Sequence, residues 1–164
     1  MNEKITIRNY APLVFLVLIE LVWAWYLTST VGDGTLFDGV RYFMGIFLLI
    51  AGILKVFKLK GFVDTFKHYD IAAQSVPSYS YLYPFIEIWL GINFLFQYAL
   101  ITSNIIVIVL MVIGIIGIWQ SIRYGRKIMC ACMGYLFKLP LSKVSLIEDI
   151  IMLIMAVLML NFLV

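Results

Sequence analysis

The stretch IIVIVLMVIGIIGIWQSI, residues 105–122, runs directly into RYGRKIMCACMG, residues 123–134. The first part carries no charge over about 18 residues, which is long enough for an α-helix to cross a hydrocarbon core of about 30 Å. The second part is basic and contains both cysteines of the chain. Together they predict a membrane helix that leads into a cysteine-bearing segment at the membrane surface.

The composition of the whole chain fits a membrane protein. Of its 164 residues 64% are hydrophobic and 13% are charged, and the mean hydropathy is +1.05. A soluble domain is about half apolar and about one quarter charged, so we expect an all-α integral membrane protein with a single domain, residues 1–164. The net charge of +3 gives no indication of nucleic-acid binding, and none is expected. Two cysteines are too few for a small secreted fold held together by several disulfides.

Apolar runs predict five membrane spans of roughly 18–20 residues each. The spans cover approximately residues 11–30, 39–57, 81–98, 105–122 and 145–164. Asp38 is placed to cap the second span. Ser145 and Glu148 form a Ser-x-x-Glu capping box that would open the last span.

Two connections between the spans carry distinctive residues. Residues 60–77 hold Phe62, Phe66 and Tyr69 at helical spacing, which predicts a short amphipathic helix on the membrane surface. Residues 125–144 form the predicted Cys-x-Cys loop.

The distribution of basic residues predicts the orientation. A cytoplasmic N-terminus places 11 of the 12 lysines and arginines on the cytoplasmic side and leaves only Arg41 on the other side. This distribution agrees with the positive-inside rule. We therefore expect a multi-pass protein of the bacterial inner membrane, with its C-terminus outside and its cysteines at the cytoplasmic face.

Cys130 and Cys132 are the first candidates for chemistry. A disulfide between them would close a very small, strained ring, and strained exposed disulfides are the labile and catalytic ones. Arg123, Arg126 and Lys127 precede the pair and would favour the thiolate form. These features indicate a thiol–disulfide exchange site. The alternative is that both cysteines pack as small apolar residues.

A soft-metal site is a further alternative for the same segment. Met129, Cys130, Cys132 and Met133 offer two thioethers and two thiolates, which suit Cu(I) or another soft ion. His68 is the one histidine of the sequence and falls on the same predicted side of the membrane, so it could serve as a third kind of ligand. An ordinary interfacial histidine is the competing interpretation.

Ionisable residues inside the predicted spans form a second group of candidates. Glu20, Arg41, Lys55 and Glu87 would lie at membrane depth, where charged groups are costly and normally pair or line a polar cavity. Lys55 and Glu87 fall at similar depth and are expected to pair, whereas Glu20 has no evident partner. Asp149, near the start of the last span, could accept a proton beside the thiols.

Several of these residues belong to longer patterns that are similar to a known family. Arg41-Tyr42-x-x-Gly45 with Ala51-Gly52-Ile53-x-Lys55, and Tyr83-Pro84-x-x-Glu87-x-x-x-Gly91, resemble two core helices of DoxX-like membrane proteins. Cys130-Ala131-Cys132-Met133-Gly134, with the downstream Phe137-Lys138-Leu139-Pro140 and Glu148-Asp149, resembles the MauE branch, which is described as redox-associated through maturation of a disulfide-rich methylamine dehydrogenase subunit.

The resemblance implies a DoxX-like four-helix bundle over residues 38–164 with an additional N-terminal helix. It points to Cys130 and Cys132, with supporting positions at Arg41, Lys55, Glu87 and Asp149. Through its expected role as a proton acceptor, Asp149 joins the two cysteines as a candidate catalytic residue. Electrons would pass through the cysteine pair to a partner, either a thioredoxin-like protein, a membrane complex or a quinone.

Three functional hypotheses follow. The first is a redox-associated membrane protein that passes electrons between thiols, in which case the chain is a thiol–disulfide oxidoreductase component. The second is a protein that binds or transports a copper-like ion through the Met-Cys-x-Cys-Met cluster. The third is a non-catalytic membrane subunit that docks a partner protein through Glu20 and the first helix.

Overall fold

A computed structural model describes residues 11–124 and 142–163, and every regular element in these two ranges is an α-helix. The predicted all-α fold class is therefore confirmed. The helices are α1 (Ala11–Thr30), α2 (Leu36–Phe57), α3 (Leu59–Phe66), α4 (Ile71–Ser75), α5 (Pro77–Leu95), α6 (Leu100–Arg123) and α7 (Ser142–Leu163).

Three of the described helices are long and apolar enough to cross a membrane. They are Leu36–Phe57, Leu100–Arg123 and Val144–Leu163, that is, α2, α6 and most of α7. α1 contains the apolar but shorter stretch Val14–Thr30, and α5 is not among the three because serines, tyrosines and Glu87 reduce its hydropathy. The chain is a multi-pass membrane protein, and its five-span arrangement stays a prediction.

The caps predicted for α2 and α7 are wrong, because both helices begin earlier than the sequence predicted. Thr35, and not Asp38, is the N-cap of α2: its hydroxyl accepts a hydrogen bond from the Asp38 backbone N–H at 3.2 Å and donates one to Asp38 Oδ2 at 3.0 Å. Asp38 lies in the first helical turn, where the helix dipole stabilises its carboxylate. α7 begins at Ser142, so Ser145 lies inside the helix and does not cap it.

α2 and α5 run antiparallel and approach closely at glycines. A Cβ atom on Gly91 would lie 2.8 Å from the backbone oxygen of Gly45, and one on Gly52 would lie 2.8 Å from the backbone oxygen of Pro84. A larger residue at either position would force the helix backbones apart. This close approach brings side chains of α2 and α5 together in the interior of the bundle.

The aromatic stripe of α3 and the following turn faces the protein. Phe62, Phe66 and Tyr69 are buried within the hydrophobic core that α2, α5, α6 and α7 also form. The Phe66 ring lies 4.6 Å, centroid to centroid, from the ring of Tyr83 on α5. The stripe therefore packs against the protein interior, which helical spacing alone does not distinguish from a lipid neighbour. The location of residues 60–77 at the membrane surface stays a prediction.

Candidate functional site

The centre of the candidate site is a buried ion pair between α2 and α5. Lys55 lies two residues before the end of α2, and its Nζ is hydrogen-bonded to Oε1 of Glu87 on α5. Each of the two side chains is only 3% exposed. The pairing that similar depth predicted is present in the structure. Because each buried ion loses several kcal/mol of hydration, a pair at this depth is a candidate functional site by default.

Aromatic rings surround the ammonium group of this pair. Lys55 Nζ lies 4.9 Å from the ring centroid of Tyr83 and 5.6 Å from that of Phe62. Both distances are within the range of a cation–π interaction, which strengthens where water is excluded. α3 thus contributes a ring to the ion pair and covers it at the end of the bundle where α2 ends and α5 begins.

A cavity of about 30 Å³ adjoins the ion pair. Its wall includes three carboxylic side chains, those of Glu87, Glu148 and Asp149, together with the ammonium of Lys55. Ser145, Tyr69 and Tyr83 also line it, and the remaining lining residues are apolar. A cavity of this size accommodates one or two water molecules.

Two glycines of α6 allow other elements to reach the cavity wall. A Cβ atom on Gly114 would lie 2.8 Å from Asp149 Oδ2, so the carboxylate of α7 occupies the space that a side chain on α6 would fill. At Gly117, one helical turn later, a Cβ atom would collide with the backbone oxygen of Tyr69. No sequence pattern marks Gly114 as part of the site. A glycine inside an apolar helix indicates close packing without indicating what packs there.

Arg41 lies at the opposite end of α2 from the ion pair. It precedes Lys55 by 14 residues, or about 21 Å along the helix. Its Nη1 donates hydrogen bonds to the backbone oxygens of Phe94 at 2.7 Å and Leu95 at 3.1 Å, and its Nη2 donates to Asp38 Oδ1 at 3.1 Å. These bonds satisfy the last carbonyl groups of α5. Arg41 therefore anchors α5 to α2 and is not part of the cavity.

Glu20 also lies apart from the cavity, on α1. Its side chain is fully buried, and within the described parts of the chain neither carboxylate oxygen has a hydrogen-bond partner. α1 packs mainly against α2. The structure therefore places Glu20 at a helix interface and does not bring it to Lys55 or Glu87.

The cysteine segment cannot be placed in this geometry. Met129, Cys130, Cys132 and Met133 lie outside the described residues. His68 is exposed, with Nδ1 at 2.5 Å from the backbone oxygen of Asp64, and it does not line the cavity. In residues 11–124 and 142–163 no three His, Cys, Asp or Glu side chains are arranged so that they could hold a metal ion. The soft-metal interpretation depends on the undescribed segment and stays a prediction.

Two acidic residues, Asp64 and Asp70, form hydrogen bonds within the segment of α3 and α4, which lies outside the predicted membrane spans. Asp70 is the N-cap of α4, and its Oδ1 accepts a hydrogen bond from the Ala73 backbone N–H at 2.9 Å. Burial nevertheless raises the pKa of the Asp70 carboxyl group. Asp64 is exposed, and its hydrogen bond with Lys67 at 2.8 Å lowers its pKa. The two carboxyl groups thus experience opposite environments within one short segment.

One comparison with known proteins gives a match. A family model described as "Methylamine utilisation protein MauE" matches residues 33–162. This range begins in the turn before α2 and ends in the last turn of α7, so it contains the whole cavity lining and both cysteines and leaves out α1. No curated protein and no solved structure matches the chain.

Proposed function

Because the chain belongs to the MauE family, as its sequence patterns predicted, we propose that it is a membrane component of methylamine utilisation that exchanges electrons between thiols. Cys130 and Cys132 form the exchanging pair in this proposal. The buried cluster of Lys55, Glu87 and Asp149 is the supporting polar site.

The position of α6 and α7 carries the proposal. Both helices contribute to the cavity wall, α6 through Ile118 near its end and α7 through Ser145 near its start. Residues 125–141 connect these two helix ends, so the cysteines are tethered to the end of the bundle at which the cavity lies. Cys130 follows Arg123 by seven residues, a length of chain that reaches at most about 25 Å.

The proposed reaction is thiol–disulfide exchange with a partner protein that carries a dithiol. A partner thiolate attacks one sulfur of the Cys130–Cys132 disulfide, which breaks that bond, forms a mixed disulfide and releases a thiolate that takes up a proton. The partner's second thiol loses its proton and attacks the mixed disulfide. The partner ends as a disulfide, and Cys130 and Cys132 end as two thiols. Two electrons and two protons move in all, and the reduction potentials of the two pairs set the direction.

Counting accessible thiols tests this proposal. The protein is oxidised, reconstituted in lipid nanodiscs, incubated with a thioredoxin-type dithiol, alkylated and weighed by mass spectrometry. We expect no alkylated cysteine before incubation and two after it. The double variant Cys130→Ser/Cys132→Ser should leave the partner dithiol unoxidised. Equal alkylation before and after incubation would contradict the proposal.

A further inference from the structure

Exposed basic side chains lie at the end of the bundle where α2 and α6 end and α5 begins. Lys60 lies on α3, Lys67 is the C-cap of α3, and Arg123 is the last residue of α6. All three are exposed. Among residues 11–124 and 142–163, no carboxylate forms an ion pair with Lys60 or Arg123, whereas Lys67 pairs with Asp64 at 2.8 Å. The outer face of this end of the bundle is therefore positively charged.

Packing of the turn after α3 against α6 brings these basic residues to one place. A Cβ atom on Gly117 would collide with the backbone oxygen of Tyr69 and would lie 3.2 Å from Cα of Asp70, so the turn crosses α6 at this glycine. Arg123 follows Gly117 by six residues, or about 9 Å along the helix. Lys67 precedes Tyr69 by two residues. The basic side chains of α3 and α6 therefore flank the same crossing.

Exposed aromatic rings accompany the basic side chains. Phe57 at the end of α2, Tyr81 near the start of α5 and Tyr124 directly after α6 are each more than half exposed. Tyr81 lies close enough to Lys67 to interact with it electrostatically. Aromatic residues are enriched where a membrane meets water. The opposite face of α3 packs in the hydrophobic core, which leaves the basic face turned outward.

We propose that the surface formed by Lys60, Lys67 and Arg123, with the flanking rings of Phe57 and Tyr124, binds the phosphate groups of anionic phospholipids. The ammonium and guanidinium groups pair with lipid phosphates, and the rings lie beside the upper part of the acyl chains. A lipid surface is favoured over an acidic protein because two helices long enough to cross a membrane, α2 and α6, end directly at these side chains. Basic groups beside a membrane span attract anionic lipids. The inference is independent of the thiol chemistry.

The ion pair of Asp64 and Lys67 gives the proposal a prediction of opposite sign. Exposed ion pairs are weak, so a lipid phosphate competes with the Asp64 carboxylate for the ammonium of Lys67. Asp64→Asn removes both this competitor and a negative charge that repels the phosphate. We therefore expect Asp64→Asn to strengthen lipid binding, whereas loss of a lysine weakens it.

Native mass spectrometry of the full chain in detergent micelles tests the proposal. The protein is titrated with phosphatidylglycerol or with phosphatidylcholine of the same acyl chains, and the populations with bound lipid give the dissociation constants. We expect tighter binding of phosphatidylglycerol. Lys60→Gln and Lys67→Gln should each weaken it about three- to fivefold, and Lys60→Arg should keep the native affinity. Because the sequence has four more basic residues, at positions 126, 127, 138 and 143, we expect a reduction and not a complete loss.

Asp33→Asn is the matched control for Asp64→Asn. Both variants remove one exposed carboxylate, but Asp33 lies in the turn before α2, at the opposite end of the bundle. Only Asp64→Asn should strengthen binding of phosphatidylglycerol. Equal affinities for the two lipids would overturn the proposal and favour an acidic protein as the partner of this surface. An affinity for phosphatidylglycerol that both Lys60→Gln and Lys67→Gln leave unchanged would also overturn it. Either failure leaves the thiol–disulfide proposal standing, since lipid binding is measured without any thiol reaction.

Discussion

Replacing Lys55 alone should destabilise the protein more than replacing Lys55 and Glu87 together. Lys55→Met leaves the Glu87 carboxylate 3% exposed and without its ammonium partner. Glu87→Leu leaves the buried ammonium without its carboxylate. The double variant Lys55→Met/Glu87→Leu leaves neither charge, and both side chains can pack against the apolar residues of α2, α3 and α5.

The magnitudes follow from the burial of both groups. Breaking a buried ion pair by removing one partner costs about 3–5 kcal/mol, whereas replacing both partners by apolar residues is often neutral or stabilising. Glu87 can relieve part of the cost by taking up a proton, so we expect about 3 kcal/mol for Lys55→Met. If each single variant loses about 3 kcal/mol and the double variant loses about 1 kcal/mol or less, the coupling free energy is about 5 kcal/mol.

Reversible unfolding in mixed micelles of dodecyl maltoside and SDS, followed by far-UV circular dichroism, measures these free energies. The exposed pair of Lys67 and Asp64, whose side chains are 43% and 71% exposed, provides the matched control. Its single and double variants should be nearly indistinguishable from the native protein, since exposed ion pairs contribute little. A loss in the Lys55→Met/Glu87→Leu variant that equals the sum of the two single losses would refute the reasoning.

Three other predictions concern the scaffold. Gly91→Ala, whose Cβ would lie 2.8 Å from the backbone oxygen of Gly45, should lower the free energy of unfolding by about 1–3 kcal/mol. Gly39→Ala, whose Cβ would find its nearest neighbour at 3.7 Å, should be tolerated, and equal losses in the two variants would contradict the helix-contact argument. Arg41→Lys should lower the thermal unfolding temperature, because one ammonium cannot replace three guanidinium hydrogen bonds to two carbonyl groups and a carboxylate; an unchanged temperature would show that these bonds do not anchor α5. Because burial raises the pKa of Asp70, its contribution to stability is complete below the unfolded value of 3.8 and is lost as pH rises through the folded pKa. Asp70→Asn, which keeps an N-cap side chain, should flatten that part of the pH profile of thermal unfolding, and an unaltered profile would contradict this assignment.

Residue counting along the spans predicted one essential part of the site. Lys55 and Glu87 occur at similar predicted depth in two different spans, and charged groups at membrane depth normally pair. These two conditions predict the ion pair that the structure shows. Glu20 has no partner at its predicted depth, and among the residues that the structure describes neither of its carboxylate oxygens has a hydrogen-bond partner.

Other parts of the site depend on tertiary contacts that a single sequence does not specify. In the sequence, Gly114 indicates only close helix packing. The contact between α6 and α7 shows that the missing side chain of Gly114 leaves room for the carboxylate of Asp149. The apolar face of α3 that carries Phe62 and Phe66 would have the same sequence pattern against lipid or against protein. Only the packing of both rings against Tyr83 shows that this face is turned to the protein interior. Two of the three hydrogen bonds of Arg41 go to backbone carbonyl groups of α5, which no sequence pattern reveals, so the sequence marked it only as a supporting charge.

The most direct test is kinetic: it asks whether the buried cluster supports thiol–disulfide exchange at Cys130 and Cys132. The measured quantity is the rate at which a dithiol reduces this cysteine pair in variants of the cavity. Stopped-flow mixing of the oxidised, nanodisc-embedded protein with a thioredoxin-type dithiol, quenched by alkylation, gives this rate as a function of pH. We predict that Asp149→Asn slows reduction and alters its pH dependence, because a carboxyl group that exchanges protons with the thiols is lost, while Asp64→Asn leaves both unchanged. Equal rates and equal pH profiles in the native protein and in folded Asp149→Asn would contradict the account.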